Sequence, residues 1–316
     1  MGSKTAEEKK LNMKNLRESI EYTKAKKSHQ VSSLEYSFKT ESVDALENYL
    51  ITGKKRGSAS NQIERLGIYN HWNFINNFIL VNEKEYQLLS KSTYYHLEHN
   101  NWCFFLGDLV EGFDSATMFK ETIKHLGQLF YLQQFVKAVS YGKLIVEKLY
   151  GKHYKGGTSI PIHPWFMLQL FCNWQGIELE QRGTYYPDNM FVYDRALKYW
   201  NTKNRELLSD IVDELTAFHI KESDEYAKTD EYGNEEDTDF TSADYFIFPI
   251  EILMWLAIRR EMGLPEYEPS PKNELMQLEI NRLPEKVVPW PTDELVEKCK
   301  AKLKADNPEI DFELDF

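Results

Sequence analysis

YFIFPIEILMWLAIRR, residues 245–260, is the most apolar run of the chain, and its reading decides the fold class. Pro249 suits the first turn of a helix, where a backbone N–H is not needed and the fixed φ is already helical. Glu251 near the start and Arg259 and Arg260 near the end carry the signs that complement the helix dipole. Gly263 supplies a left-handed stop, and Pro265 prevents continuation. Between these signals Ile250, Ile252, Leu253, Met254, Trp255, Leu256 and Ile258 are apolar nearly all round, which predicts a central helix packed on several sides. The run falls short of the roughly 20 apolar residues of a membrane span, and Glu251 interrupts it. A core helix is expected, and no membrane partner.

Immediately before it stands KESDEYAKTDEYGNEEDTDF, residues 221–240. From 222 to 239 the acids are Glu222, Asp224, Glu225, Asp230, Glu231, Glu235, Glu236, Asp237 and Asp239, against one base, Lys228; nine minus one gives −8 of the chain's −12. An EF-hand would need oxygen ligands at alternate positions, a glycine at the sixth and a glutamate at the twelfth. Counted from Asp230, the third position is Tyr232 and the sixth is Glu235, so the pattern fails. Three readings remain: a solvated loop, a cation site of another type, and an anionic recognition surface. In the last, Tyr226, Tyr232 and Phe240 provide anchoring area while the carboxylates steer a cationic partner.

The rest of the chain reads as helices. The longest periodic segment is residues 115–151, with Phe119, Ile123, Leu126, Leu129, Phe130, Phe135, Val136, Val139 and Leu144 at three- and four-residue steps. Ser115 is its expected N-cap and Gly151 its stop, with Gly127 and Gly142 marking close packing or kinks. Further helices are expected over 4–28, 42–51, 62–81, 83–99, 165–175, 189–200 and 204–218, with 53–61 a flexible basic loop. Weak helix formers at 155–164 predict a boundary between an N-terminal helical domain, 1–155, and a C-terminal one, 156–316. After Gly263 six prolines predict an extended tail over the surface, followed by a last helix capped by Thr292 with Leu295, Val296, Cys299 and Leu303 inward. No hairpin pattern and no repeat emerges. The expected fold class is all-α, two packed helical bundles with a proline-punctuated C-terminal tail.

Composition bounds the function. In 316 residues, 42% hydrophobic and 14% aromatic content suffices for a sizeable core. A net charge of −12 and a pI near 5.3 exclude general nucleic-acid affinity, which needs clustered Lys and Arg. Cys103, Cys172 and Cys299 are odd in number and widely spaced, which points to a reducing cytoplasm and not to a disulfide framework. MGSKTAEEKK lacks a signal-peptide core, and Ala6 stands where myristoylation needs Ser or Thr.

Chemical motifs fail one by one. His96-Leu97-Glu98-His99 places two histidines three apart, on one helix face, but matches neither H-E-x-x-H nor H-x-x-E-H. No metal and no cofactor is therefore expected. The stretch Gly151 to Thr158 imitates a phosphate loop until Gly157 replaces the lysine. Cys103 and Cys172 carry no local activating feature, so no catalytic residue is expected.

The helical halves, the glycine-containing helix ending in VSYGK (Val139 to Lys143) and the apolar helix at 243–263 together resemble two-domain helical immunity proteins. Those are encoded beside bacterial polymorphic DNase toxins, including type VI secretion effectors. The proline-punctuated tail departs from that pattern. The resemblance implies a cytoplasmic, non-catalytic inhibitor of a cognate toxin, and the acidic segment fits a basic toxin surface. Homo-oligomerisation is left open. The alternatives are a helical enzyme, metal-dependent or not, assembled from distant residues such as His96, Glu98, His99 and His163, and a structural adaptor.

Overall fold

A computed structural model of the chain describes residues 17–18, 20–21, 24–25, 34–109, 117–154, 161–182, 186–224, 228–229, 235–236 and 238–316. The fold is all-α. A π-helical turn, Glu35–Thr40, leads into α1 (Glu41–Thr52), followed by α2 (Arg56–Val81), α3 (Tyr86–Leu109), α4 (Phe119–Tyr131) and α5 (Phe135–Lys148). Then come α6 (His163–Gln175), α7 (Val192–Lys198), α8 (Arg205–Lys221), α9 (Ile250–Glu261), a 3-10 turn at Glu279–Asn281, and α10 (Glu294–Asp306). A two-residue antiparallel ladder, β1 (Lys228–Thr229) with β2 (Glu235–Glu236), interrupts the helices inside the acidic segment.

The chain divides into two compact units, and the division corrects the expected domains. One comprises Lys27–Gly156 together with Pro284–Phe316; the other comprises Gly157–Leu283 and Met1–Lys26. The boundary near 156 stands, but residues 284–316 belong with the earlier half. Of the helix expected over 4–28, only six residues are described, all helical.

In the first unit α2 begins at Arg56, so the loop expected over 53–61 ends six residues early. Left-handed Gly53 (φ 65°) and Lys55 (φ 61°) make the turn, and Ala59, Ser60 and Ile63 then extend the buried stripe. The helix expected over 115–151 is two helices. Gly127 and Gly142 both lie inside helices and are buried, whereas the break falls at Gln133, with φ 60°. Ser115 lies outside the described residues. The tail explains the position of the break. The Leu132 carbonyl accepts the Val288 N–H at 3.2 Å, the Gln134 side chain donates to the Val288 carbonyl at 2.5 Å, and the Gln133 side chain donates to that of Pro284. One backbone carbonyl and two side chains of the corner are thus held by a segment more than 150 residues away.

The C-terminal helix then packs on α1 and meets α3 through side-chain bonds. Its N-cap is Asp293, not Thr292: the Asp293 carboxylate accepts the Leu295 and Val296 N–H groups at 2.9 and 3.2 Å. Val296, Cys299 and Leu303 are buried as expected, while Leu295 is partly so.

In the second unit the helix expected from residues 245–260 is present as α9. Gly263 takes φ 64° beyond its end, and residues 250–259 are buried throughout. Arg259 is not merely a dipole partner. Its guanidinium donates to the carbonyls of Trp200, Thr202 and Pro265 at 3.0, 2.8 and 3.2 Å, closing the chain after α7. Residues 264–283 are not a purely extended wrap either, because Leu275, Met276 and Ile280 are fully buried. The Asn281 amide ties them down by donating to the Ile247 and Leu275 carbonyls at 3.0 and 2.8 Å. Among the described residues, no helix is long and apolar enough to cross a membrane.

Candidate functional site

The acidic segment leaves from the end of α8 and returns into the core. The Asp224 N–H donates to the Phe240 carbonyl at 3.0 Å, and the Phe240 N–H to the Glu222 carbonyl at 3.1 Å. The Thr238 hydroxyl donates to the Asp224 carbonyl at 2.8 Å. These bonds cinch the two ends of the segment together, and the β1–β2 ladder pairs its middle.

Asp239 corrects the expected recognition surface, because it is only 6% exposed. Its carboxylate accepts the Ile162 and His163 N–H groups and the His163 ring Nδ1 at 3.0 Å. An acid from the segment therefore caps α6 in trans, where orphan N–H groups and the dipole favour negative charge. Phe240, expected as a surface anchor, is 3% exposed. Its ring stacks on His163 at 4.6 Å and lies against His219 at 4.1 Å. His219 in turn meets the Glu251 carboxylate through Nδ1 at 2.9 Å and the Tyr245 carbonyl through Nε2 at 3.1 Å. Both ring nitrogens thus face oxygen acceptors. Burial, and then the charges of Asp239 and Glu251, push the Tyr193 phenol well above its usual range.

Of the other expected contact residues, Glu222 and Asp224 are half-buried at the segment's base, and Glu222 pairs with Lys221 at 3.1 Å. Glu235 and Glu236 are described as backbone, in β2. Glu225, Tyr226, Asp230, Glu231, Tyr232 and Asp237 lie outside the described residues. Asp239→Asn keeps the volume but turns one acceptor into a donor facing donors. A loss of about 1–3 kcal/mol is expected, read as a lower urea midpoint at unchanged slope.

The first unit holds a second polar cluster, at the His96–His99 position. The two histidines do not converge on a common point. His96 stacks on His125 of α4, with centroids 4.0 Å apart and planes at 12°. His99 instead turns Nδ1 to the Ser60 carbonyl at 3.0 Å, leaving Nε2 3.7 Å from Cys103 Sγ and 3.9 Å from Glu64. Burial disfavours a charged His99, but the Cys103 sulfur and its bond, then Glu64, outweigh it and raise the ring to about 9. Against its own burial, His99 lowers the Cys103 thiol. This is the chemistry of an activated sulfur, in a side chain that is only 2% exposed.

Glu98 pairs with Lys300 at 2.8 Å, and His163 belongs to the other unit. Within the first unit, His96, Glu98 and His99 thus turn to different partners. Among the described residues, no three of His, Cys, Asp and Glu are grouped to hold a metal ion. A Cβ built on Gly67 of α2 would lie 2.8 Å from His96 Cδ2 and Nε2. The ring is buried and stacked on His125, so Gly67→Ala is expected to cost about 1–3 kcal/mol, measurable as a lower melting temperature.

No family model, curated protein or solved structure matches the chain. Function therefore rests on the residues.

The sequence reading missed the His219–Glu251, Asp239–His163 and Glu98–Lys300 pairs. A weak signal existed in each, an ionisable residue inside an apolar stripe, but nothing local names its partner.

Proposed function

We propose that this chain is a cytoplasmic immunity-type protein. It binds a cognate bacterial toxin, a nuclease, through its acidic segment and neutralises it without catalysis of its own. The observation that carries this reading is a segment of net charge −8 whose ends are cinched together, with Asp239 seated on the N-terminus of α6. Anchored ends lower the ordering cost of binding, and the carboxylates match the basic groove that any DNA-cleaving partner must present. The polar clusters deeper in each unit hold the fold together and leave the segment as the contact.

The test is co-expression with the product of the adjacent gene, scored for survival and co-purification. Neutralising Glu225, Asp230, Glu231, Glu235, Glu236 and Asp237 to their amides is expected to slow association by roughly 10- to 1000-fold and to flatten its salt dependence. Unchanged protection by that variant would refute the segment as the contact. Toxicity without rescue by the wild type would refute the immunity reading.

A further inference from the structure

Beyond α10, residues 307–316 of the first unit read NPEIDFELDF. From Ile310 to Phe316 they form neither helix nor strand, and their exposure alternates residue by residue. Ile310, Phe312, Leu314 and Phe316 are half-buried, while Asp311, Glu313 and Asp315 are exposed. A period of two is that of an extended chain lying along a surface. The segment is thus a strap, with its apolar side chains against the unit and its acids in solvent.

The surface under the strap is one face of α3. Asn101, Trp102 and Phe105 stand there at helical spacing, and each holds a part of the strap. The Asn101 carboxamide clamps the backbone of Leu314, donating to its carbonyl at 2.6 Å and accepting its N–H at 3.3 Å. Phe312 stacks on Phe105 at 4.7 Å and meets Trp102 edge-on at 6.5 Å. Phe316 reaches Tyr141 of α5 at 6.0 Å. The rim of this face is basic. Lys304 pairs with Asp311 and Lys148 with Glu313, both at 2.6 Å, and Lys300 lies 3.9 Å from Asp315. In a chain of net charge −12, three lysines facing the three strap acids reverse the local sign.

A side-chain amide reading the backbone, apolar contacts for alternate residues and charges for those between are the means by which an extended peptide is bound in trans. The hold is also light enough to exchange. Neither a ladder nor a helix secures the strap, and Asp311 and Asp315 are almost fully exposed, so their ion pairs contribute little. Two buried polar atoms of the same α3 face, Glu98 Oε2 and Trp102 Nε1, have no hydrogen-bond partner among the described residues. The strap therefore leaves part of the face's hydrogen-bonding capacity unused.

We propose that this face of α3, with its lysine rim, is a recognition groove for an extended protein segment in which acids alternate with apolar residues. Residues 310–316 are its resident, displaceable occupant, and a partner carrying the same alternation competes for the groove. The groove belongs to the unit that lacks the acidic segment and takes a partner of opposite charge, so it stands or falls apart from the reading above.

The probe is a fluorescein-labelled peptide of residues 308–316, with a control of the same residues in an order that breaks the alternation. The receptor is the full chain carrying Phe312→Ala/Leu314→Ala, which loosens the resident strap, its folding checked by its thermal transition. Anisotropy is expected to show saturable binding of the peptide with Kd on the order of 10–100 µM, and none of the control. Asn101→Ala in the same background should weaken the peptide by at least about fivefold. The wild-type chain should bind it at least about tenfold more weakly, because its own strap competes at a millimolar effective concentration.

No binding by the folded variant, equal binding of peptide and control, or equal binding by variant and wild type overturns the proposal. The wild type gives a check that needs no substitution. With a para-fluorine on Phe316, its fluorine resonance should move toward that of the free peptide as unlabelled peptide is added in millimolar excess. A resonance that stays fixed overturns the exchange, whether or not the chain protects against a toxin.

Discussion

Lys300→Met is expected to destabilise the first unit by about 3–5 kcal/mol, because it strands a carboxylate in the core. Glu98 is fully buried, and Lys300 of α10 meets it at 2.8 Å while also lying 3.6 Å from Glu297. Around this pair, the Tyr94 and Tyr95 hydroxyls donate to Glu297 and Asp293 at 2.8 and 2.6 Å, so the contact organises the docking of the whole C-terminal helix. Glu98→Gln/Lys300→Met should recover most of the loss, since a neutral pair of similar volume costs little. Urea midpoints of the four-member cycle measure the coupling, and a Lys300→Met midpoint equal to wild type would show that the pair carries no weight.

The deficit should also depend on pH. Burial pushes the Glu98 carboxyl up from 4.5 to about 7 even though Lys300 pulls it down. The folded-state value lies above the unfolded one, so the native protein keeps this proton longer and is favoured at low pH. That contribution fades as pH rises from about 4.5 to 7. Removing Lys300 raises the carboxyl further, and the variant's deficit should widen toward neutral pH.

The second large effect runs the other way with pH. Burial, then neighbouring histidines and Lys124, hold His96 and His125 well below 6.5. The groups facing the stacked pair include His71 on α2, His99 on α3 and Lys124 on α4, the last bonded to Glu121 at 3.1 Å. Each depressed imidazole contributes stability that is complete above about 6.5 and is lost as pH falls toward its folded value. His99, raised to about 9, is protonated in both states below 6.5 and adds no slope there.

From pH 6.5 to 5 the two rings together are expected to remove up to about 3 kcal/mol, of which Glu98 returns about half. In Glu98→Gln the full loss should appear. Denaturation at both pH values, in both proteins, checks it. A stability that is flat or rising on acidification of Glu98→Gln would exclude neutral buried rings.

By itself, the sequence determined the elements whose signals are local. Pro249 and Gly263 bracketed α9, three- and four-residue steps placed the helices of both units, and weak helix formers near 156 marked where the units change. These follow from backbone geometry and from which side chains avoid water, both written within a few residues. Only the tertiary structure decided which ionisable groups are buried, because the partner that makes burial tolerable lies far along the chain. Asp239 reads as part of a recognition surface, Glu251 as a dipole partner and Glu98 as one member of a histidine motif until His163, His219 and Lys300 are placed beside them. The break at Gln133 and the return of residues 284–316 to the first unit have the same cause. Each is set by hydrogen bonds between Gln133, Gln134 and a tail more than 150 residues distant. Helical periodicity is a one-dimensional signal, whereas a buried polar group is a statement about two places in the chain at once.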